Sequence, residues 1–332
     1  MTPIIKIDNL YKSYKAGKEI ISAVTGLSLT VMAGEIYGLL GPNGAGKTTT
    51  LRCLATLLQP DSGTITVAGS SDPRLIRQKI GYVAQEVALD KVLTGRELLE
   101  FQAGLYHLPP ATAQRRIAEV LQVLQLEEYA DRQTGKYSGG LKKRLDLALG
   151  LLHAPQVLIL DEPTVGLDIQ TRLGIWQFLR ELKQMGITVF LTSHYLEEID
   201  ALADRVGIIN QGKLIAEGTP TALKNQVGGD RLTIRIQEFT SPAEAQSALD
   251  LIKDLPFVRS ALINPAQGNA INLVISPDPQ GVGKIQEILT QAGKSIFSLT
   301  QSRPSLDDVF LSATGQTILD ADLAQAEKAY RK

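Results

Sequence analysis

A glycine-rich segment at residues 41–48, Gly-Pro-Asn-Gly-Ala-Gly-Lys-Thr, places the strongest constraint on how this chain folds. It lies between an apolar run at residues 35–40, typical of a strand, and residues 48–58, whose apolar side chains recur at helical spacing. A glycine-rich turn between a strand and a helix lets backbone N–H groups surround a phosphate, and the helix N-terminus adds partial positive charge. The pattern predicts an α/β fold with a phosphate-binding loop. The residues expected to hold the phosphates are Gly41, Asn43, Gly44, Gly46, Lys47 and Thr48.

A second apolar run, residues 157–160, ends in two carboxylates, Asp161 and Glu162. Mg²⁺ prefers oxygen ligands, so Asp161 and the hydroxyl of Thr48 are expected to hold this metal ion. Glu162 lies one residue further and points to the other side of the strand end, where it can act as a general base on an attacking water. The pair predicts hydrolysis of the bound nucleotide.

Length and composition indicate two globular domains. The chain has 332 residues, of which 44 % are apolar and 21 % charged, enough to bury a core without disulfides. The single cysteine, Cys53, cannot form an internal bridge and is expected in the core of a protein from a reducing compartment. The 34 basic and 35 acidic residues give a net charge of -1, so the overall charge offers no footprint for nucleic acid.

The apolar stretches predict a chain that does not cross a membrane. The longest, residues 147–160, is interrupted by polar residues and by Pro155, and it is shorter than the ~18 residues that a spanning helix needs. The first residues show no charged start followed by an apolar core and a cleavage site. We therefore expect a cytoplasmic location.

The order of elements predicts a nucleotide-binding domain over residues 1–227. Residues 4–31 alternate as an antiparallel edge sheet, a parallel core follows, and residues 64–68 return as a strand. A helical insertion is expected at about residues 90–135, because Thr94 and Glu97 form a capping box and strand signals are almost absent there. The α/β alternation resumes at residue 157 and ends in a hairpin at residues 210–212.

A smaller domain is expected at residues 228–314. Its predicted order βαββαβ corresponds to a ferredoxin-like α+β domain, for which we expect a regulatory or dimer-stabilising role. A short helix beginning at Ser305 is expected to present Leu306, Val309 and Phe310 as an apolar docking patch. Residues 315–332 are interpreted as a polar, frayed tail.

Further motifs decide the family. Residues 137–144 have the sequence Tyr-Ser-Gly-Gly-Leu-Lys-Lys-Arg, Gln85 follows a predicted strand, Gly-Leu-Asp ends at Asp168, and His194 follows another strand. Over about residues 4–225 these motifs, in this order, resemble the ATPase of an ATP-binding cassette (ABC) transporter. The resemblance implies a P-loop ATPase that binds ATP and Mg²⁺ and converts ATP and water to ADP and phosphate.

The resemblance implies a role for each matching residue. Catalysis would fall on Glu162, on His194, which contacts the γ-phosphate, and on Gln85, which touches the metal ion and the water. Metal binding would fall on Thr48, Gln85 and Asp161. Tyr14 would stack on adenine, and Lys47, Thr48 and Thr49 would contact phosphates. Ser138, Gly139 and Gly140 would bind the nucleotide of a second copy of the chain, and Asp168 lies in the loop that joins the two sites.

The signature differs from its commonest form, with Tyr137 in place of leucine and Leu141 in place of glutamine. Its longer form, Tyr-Ser-Gly-Gly-x-x-x-Arg-Leu-Asp-Leu-Ala, resembles the daunorubicin-resistance type of drug-exporter ATPase, as does the closing segment at residues 304–311. This resemblance implies a homodimer that drives separately encoded membrane subunits and lies against the inner face of the cell membrane.

Three alternatives remain open. The chain could be a soluble ABC ATPase acting on nucleic acid or ribosomes, although it has neither a second cassette nor a long coiled coil. It could be an ATP-gated module without hydrolysis, against which the intact Lys47, Asp161, Glu162 and His194 speak. It could also serve import rather than export. The transported substrate is not encoded in these residues.

The remaining polar and aromatic candidates are given structural interpretations. Residues 142–144, Lys-Lys-Arg, are interpreted as a solvated helix face, and Trp176 as helix core. The sequence names no partner for His107 or His153.

Overall fold

The computed structural model describes residues 2–17, 19–238, 240–276 and 280–330, which fall into two units, Met1–Glu217 and Gly218–Lys332. The boundary predicted at residue 227 lies one helix after the boundary in the structure. The helix Pro220–Val227 belongs to the second unit, because it packs on the helix Leu306–Thr314 of that unit. Among the described residues, no helix combines the length and apolar character needed to span a bilayer.

An antiparallel three-stranded sheet opens the first unit, as the alternating pattern predicts. Its strands are β1 (Pro3–Ala16), β2 (Glu19–Met32) and β4 (Ser62–Val67), in the order β2-β1-β4. The sequence places the strand at 64–68 after the first strand of the parallel core. The structure pairs it instead with β1, with Ile5 opposite Val67 and Ile7 opposite Ile65.

A six-stranded sheet forms the core of the first unit. Its strands are β3 (Ile36–Leu40), β5 (Ile80–Val83), β6 (Val157–Asp161), β7 (Thr188–Ser193), β8 (Arg205–Asn210) and β9 (Lys213–Gly218), in the order β5-β6-β7-β3-β8-β9. The pairs that join β5, β6, β7, β3 and β8 are parallel. Strands β3, β6 and β7 are buried over their whole length, which explains why they are continuous apolar runs.

The helices of the first unit include the predicted insertion. They are α1 (Lys47–Leu54), α2 (Pro73–Lys79), α3 (Gly95–Leu105), α4 (Pro110–Val123), α5 (Gly139–Leu151), α6 (Ile169–Gln184) and α7 (Leu196–Leu202). Helix α3 begins with the predicted capping box of Thr94 and Glu97. Helices α3, α4 and α5 pack on one another. Cys53 is buried in the core, as predicted.

The described residues of the second unit form a four-stranded antiparallel sheet and five α-helices. The strands are β10 (Asp230–Arg235), β11 (Val258–Asn264), β12 (Ala270–Ile275) and β13 (Ser298–Ser302), in the order β11-β12-β10-β13. The helices are α8 (Pro220–Val227), α9 (Pro242–Ile252), α10 (Gly281–Gln291), α11 (Leu306–Thr314) and α12 (Ile318–Tyr330). Side chains of β10 and β12 form a core with α9 and α10.

The predicted docking patch on α11 is not exposed. Leu306, Val309 and Phe310 are buried within the second unit, where α11 packs on α8. An ion pair of 2.6 Å between Arg231 of β10 and Asp308 of α11 also ties this helix to the sheet. The apolar face therefore stabilises the unit itself.

The predicted polar tail forms helix α12, while residues 331 and 332 lie outside the described residues. Its start is fixed by Asp320, whose Oδ2 accepts from the side chain of Asn264 at 2.8 Å and from the backbone N–H of Thr317 at 3.0 Å. Ile318 is buried next to this contact. The hydrogen bonds and the buried isoleucine outweigh the polar composition of the segment.

We expect Asp320→Ala to loosen the end of the chain, because a buried acceptor of two hydrogen bonds contributes about 1–3 kcal/mol. Hydrogen exchange at residues 318–327 should become faster by roughly ten-fold or more. Gln325→Ala, a change at an exposed position of the same helix, is the control and should leave exchange unchanged. Equal exchange in the two variants would contradict this account of the tail.

Candidate active site

The phosphate-binding loop follows β3 and leads into α1, and its backbone is tightly enclosed. A Cβ atom on Gly41 would lie 2.3 Å from the carbonyl oxygen of Ile209. One on Gly46, whose φ is +106°, would lie 2.3 Å from the carbonyl oxygen of Ala23. Neither position can hold a larger residue without a shift of the backbone. The loop that the sequence predicts is therefore fixed by its neighbours.

The ammonium group of Lys47 lies inside this loop. Its Nζ donates to the carbonyl oxygens of Gly41 at 2.8 Å and Pro42 at 3.1 Å, and it lies 3.3 Å from Oε1 of Glu162. Both charged side chains are about 95 % buried, at 4 % and 5 % exposure. A buried cation whose acceptors are two carbonyls and one carboxylate can exchange them for phosphate oxygens.

Glu162 contacts the two other predicted catalytic residues, Gln85 and His194, as well as Lys47. Besides Lys47, its carboxylate accepts from Nε2 of Gln85 at 3.3 Å and lies 3.1 Å from Nδ1 of His194. Burial raises the pKa of this carboxyl, but the hydrogen bond with His194 and the charge of Lys47 outweigh that effect and hold the pKa below its ordinary value. Glu162 is thus an ionised carboxylate at neutral pH, the state that a general base requires.

The backbone at Glu162 is strained. Its φ of +46° lies in the left-handed region, which costs a residue with a side chain about 1–3 kcal/mol and persists only when the surroundings hold it. Its N–H donates to the hydroxyl of Thr192 on β7 at 3.1 Å. This left-handed backbone turns the side chain of Glu162 toward Gln85 and His194, beyond the end of β6.

Asp161 and Thr48, the two residues predicted to bind the metal ion through oxygen, lie in direct contact. The hydroxyl of Thr48 donates to Oδ1 of Asp161 at 3.1 Å, and the hydroxyl of Thr192 donates to the same oxygen at 2.8 Å. The described residues contain no cluster of three or more His, Cys, Asp or Glu side chains that could hold a metal. Two oxygen ligands from the chain fit Mg²⁺, which takes its remaining ligands from phosphates and water. Gln85, the third predicted ligand, contacts Glu162 rather than this pair.

Tyr14 and Thr49 meet at the outer end of the loop. The tyrosine hydroxyl lies 3.3 Å from the threonine hydroxyl, and the side chain of Tyr14 is 39 % exposed. The structure therefore places an exposed aromatic ring on the antiparallel sheet next to the phosphate-binding helix.

The signature residues and Asp168 form a second cluster. Ser138 is the N-cap of α5 and accepts from the N–H of Leu141, while Asp168 is the N-cap of α6 and accepts from the N–H and hydroxyl of Thr171. A Cβ atom on Gly140 would lie 2.8 Å from the side chain of Thr171, so the two helices begin side by side. In the part of the chain that the structure describes, no hydrogen bond joins Ser138 or Asp168 to Lys47 or Glu162.

Sequence reasoning missed Thr192, which binds both acidic residues of the site. It lies in Leu-Thr-Ser-His, residues 191–194, a segment singled out only for its histidine. Because β6 and β7 are paired with Asp161 opposite Thr192, this register puts the hydroxyl beside the carboxylate of Asp161 and the backbone N–H of Glu162. A threonine at the end of a buried strand, just before the histidine, is the signal that could have found it.

The interpretation of residues 142–144 as a solvated face is wrong for Lys143. Its side chain is 3 % exposed, and its Nζ donates to the carbonyl oxygen of Ala84, next to Gln85, at 2.9 Å. Burial lowers the pKa of Lys143. Burial also raises the pKa of the nearby Asp146 to about 6, although the positive charge of Lys143 acts to lower it. A buried lysine needs such partners, so helix α5 is tied to the segment that carries Gln85.

Glu198 is a further buried group near the site. It accepts from the hydroxyl of Thr164 at 2.8 Å and from the indole N–H of Trp176 at 3.0 Å, and burial raises its pKa. Trp176, predicted as helix core, is only partly buried and carries a polar contact. The carboxylate joins the segment after β6, helix α6 and helix α7.

Comparisons with known proteins agree with this geometry. A family model described as ABC transporter matches residues 24–165. A daunorubicin resistance ATP-binding protein of Streptomyces coeruleorubidus is 42 % identical over 92 % of this chain and 94 % of its own length. A Nod factor export ATP-binding protein of Burkholderia lata is 44 % identical over 96 % of this chain and all of its own length. A linearmycin resistance ATP-binding protein of Bacillus subtilis is 38 % identical over 96 % of this chain and all of its own length.

Two solved structures resemble the first part of the chain. One is an ATP-binding cassette in a dimeric, post-hydrolysis state bound to ADP and phosphate, with a TM-score of 0.58 and 28 % identity over 65 % of this chain and 98 % of its own. The other is part of an ABC transporter complex of Clostridium perfringens, with a TM-score of 0.62 and 28 % identity over 77 % of this chain and 97 % of its own. The chain therefore belongs to the ABC transporter family, as an ATP-binding, ATP-hydrolysing subunit of the exporter group that contains the daunorubicin resistance proteins.

Proposed function

We propose that ATP and Mg²⁺ bind between Tyr14, the phosphate-binding loop and Asp161, and that Glu162 is the general base of hydrolysis. The observation that carries this proposal is the single ionised carboxylate that accepts from Gln85 and lies beside Lys47 and His194. Because the carboxylate of Glu162 has three partners, a weakly bound molecule would not free it from them. Phosphate oxygens offer Lys47 new acceptors and so free the carboxylate to bind water.

The chain's own residues have separable tasks in this reaction. Lys47 neutralises phosphate charge, His194 and Gln85 position the attacking water, and Glu162 accepts its proton. Thr192 holds Asp161 and the backbone of Glu162 in register. Thr48 and Asp161 would hold the metal ion, which would supply positive charge beside the phosphates.

We also propose that two copies of the chain enclose two ATP molecules. Ser138, Gly139, Gly140 and Asp168 would then serve the nucleotide of the partner copy. Two features support this arrangement: these residues form a cluster of their own, and apolar side chains beside it are exposed, with 36 % of Val165, 74 % of Ile169 and 53 % of Leu173 accessible. A second copy would cover these side chains and bring its loop opposite the helix N-termini.

The membrane partner is the second part of the proposal. The relatives are named for resistance to daunorubicin and linearmycin and for Nod factor export. We propose that this chain likewise powers export through separately encoded membrane subunits, in the cytoplasm against the inner face of the cell membrane. Val92, Phe101 and Leu105, at the edge of the helical insertion, are 72 %, 62 % and 60 % exposed and offer an apolar surface for a helix of that subunit.

For the second unit we propose a ferredoxin-like domain within residues 228–314. The strand order β11-β12-β10-β13 and the crossover helices α9 and α10 support this assignment. The unit would regulate the ATPase or stabilise its dimer, because the motifs that carry the proposed chemistry all lie in the first unit.

Glu162→Gln is expected to lower the turnover of ATP by about 10²–10⁴-fold, because the substitution keeps the shape of the side chain and removes the base. ATP binding should remain, and the variant should collect as an ATP-bound dimer on gel filtration. Glu197→Gln, the same change at an exposed position just past His194, is the matched control and should retain turnover. Undiminished turnover in Glu162→Gln would contradict the assignment of the base.

The composite site can be tested with mixed dimers. Ser138→Arg should abolish turnover by blocking closure while ATP still binds the loop of the same chain. Mixed with Lys47→Ala chains, it forms heterodimers in which one site carries both lesions and the other carries none. These mixtures should hydrolyse ATP faster than either parent homodimer. If Ser138→Arg alone lost nucleotide binding to the same extent as Lys47→Ala, the segment would belong to its own pocket.

Docking of the membrane subunit should depend on residues 86–92, which follow Gln85. Cysteines introduced at Ala88 and Leu89 are expected to cross-link to a cytoplasmic loop of the membrane subunit encoded beside this chain. A cysteine at the exposed Gln325, in the second unit, is the control. Failure of both cross-links in an assembled complex would exclude this docking site.

A further inference from the structure

Lys143 is a buried lysine that has no task in the reaction as proposed above. It lies at the start of the second turn of α5, and its side chain is 3 % exposed. Its Nζ donates to the carbonyl oxygen of Ala84 at 2.9 Å and lies 3.7 Å from Oδ2 of Asp146, one turn further along the helix. Burying a lysine costs free energy that these partners offset, so they hold the side chain in one place.

Three carboxylates act on Lys143. Burial lowers the pKa of its ammonium group, whereas the charges of Asp146, Asp161 and Glu198 raise it. Oδ2 of Asp146 has no hydrogen-bond partner among the described residues, so this carboxylate depends on the positive charge beside it. An uncharged side chain in place of Lys143 would leave Asp146 without a counter-charge and the carbonyl of Ala84 without its donor.

The acceptor of Lys143 belongs to the peptide group that leads into Gln85. The carbonyl of Ala84 and the N–H of Gln85 are parts of one planar unit, so a fixed carbonyl oxygen also fixes the direction in which the chain enters Gln85. Ala84 directly follows β5, and α5 lies against that strand, because a Cβ atom on Gly81 would be 2.1 Å from the carbonyl oxygen of Gly150. The hydrogen bond therefore connects Gln85 to a strand and a helix that are packed on each other.

The side chain of Gln85 reaches the catalytic carboxylate by a long hydrogen bond. Its Nε2 donates to Oε2 of Glu162 at 3.3 Å. A bond of this length is beyond the usual range for N–H donors, so a displacement of a few tenths of an ångström is enough to break it. The position of the backbone at Gln85 therefore decides whether this contact is made.

We propose that Lys143 is a positioning residue for hydrolysis, which holds the Ala84 carbonyl and so keeps the side chain of Gln85 within reach of Glu162 and the attacking water. The inference rests on the proposed function, because it takes Gln85 and Glu162 to act on that water. It adds a residue that acts through Gln85 rather than on the nucleotide.

Lys143→Met removes the donor and keeps most of the side-chain volume. Turnover of ATP should fall about ten-fold or more, while the KM for ATP changes less than about two-fold, because the lost contact orients the water rather than the nucleotide. Lys79→Met is the matched control. Nζ of Lys79 also donates to a backbone carbonyl, that of Ala68, at 2.9 Å, but at the opposite end of β5 from Gln85. This variant should retain turnover.

A double-mutant cycle with Gln85→Ala distinguishes positioning from a general loss of structure. If Lys143 acts through Gln85, Lys143→Met should change the turnover of the Gln85→Ala chain by less than about two-fold. If Lys143→Met fails to fold, Asp146→Asn replaces it in the same cycle. That change removes the counter-charge at a partly exposed position and should lower turnover several-fold in the parent chain only.

Full turnover in Lys143→Met would overturn the inference, as would losses that multiply when the two substitutions are combined. A KM for ATP that rises as much as turnover falls would also overturn it, because Lys143 would then serve nucleotide binding. Undiminished turnover in Gln85→Ala would overturn the proposed role of Gln85 together with this inference. Lost turnover in Gln85→Ala beside full turnover in Lys143→Met would overturn this inference alone.

Discussion

The contact between Glu162 and Lys47 is the interaction on which the active site depends. Two opposite charges lie 3.3 Å apart in a place where both are almost wholly buried. Removing either partner alone would strand a charge away from water, at a cost of about 3–5 kcal/mol. The loop, the strained end of β6, and the contacts of Gln85 and His194 with the same carboxylate are all arranged around this pair.

The parallel sheet explains how distant segments reach that pair. Strands β5, β6, β7 and β3 are neighbours, and Gln85, Glu162, His194 and Gly41 each follow the end of one of them. Because parallel strands end at one edge of the sheet, the four loops meet there. The signature and Asp168 begin helices instead, and their helix N-termini form a separate cluster that suits the nucleotide of a second copy.

Motifs with fixed spacing made most of the fold and site predictable. The loop at 41–48, the acidic pair, Gln85 and His194 are local patterns, and the structure joins them as expected, except that Gln85 contacts Glu162 rather than the metal pair. Thr192 and Lys143 could not be found this way, because their roles arise from strand register and from the packing of α5 on the segment before Gln85. Likewise, burial of the α11 patch and order in α12 depend on partners far away in the sequence, namely α8 and Asn264.

The most direct test of the account is the protonation of His194 in the nucleotide-free chain. The chain has only three histidines, His107, His153 and His194, so imidazole ¹⁵N spectra resolve and assign easily with single His→Gln variants. An ionised Glu162 can only accept a hydrogen bond, so Nδ1 of His194 must carry a proton, and a bound non-hydrolysable MgATP analogue should change this signal while those of His107 and His153 stay in place. An unprotonated Nδ1, or a His194 signal unaffected by the nucleotide, would contradict the central role of the Glu162 carboxylate.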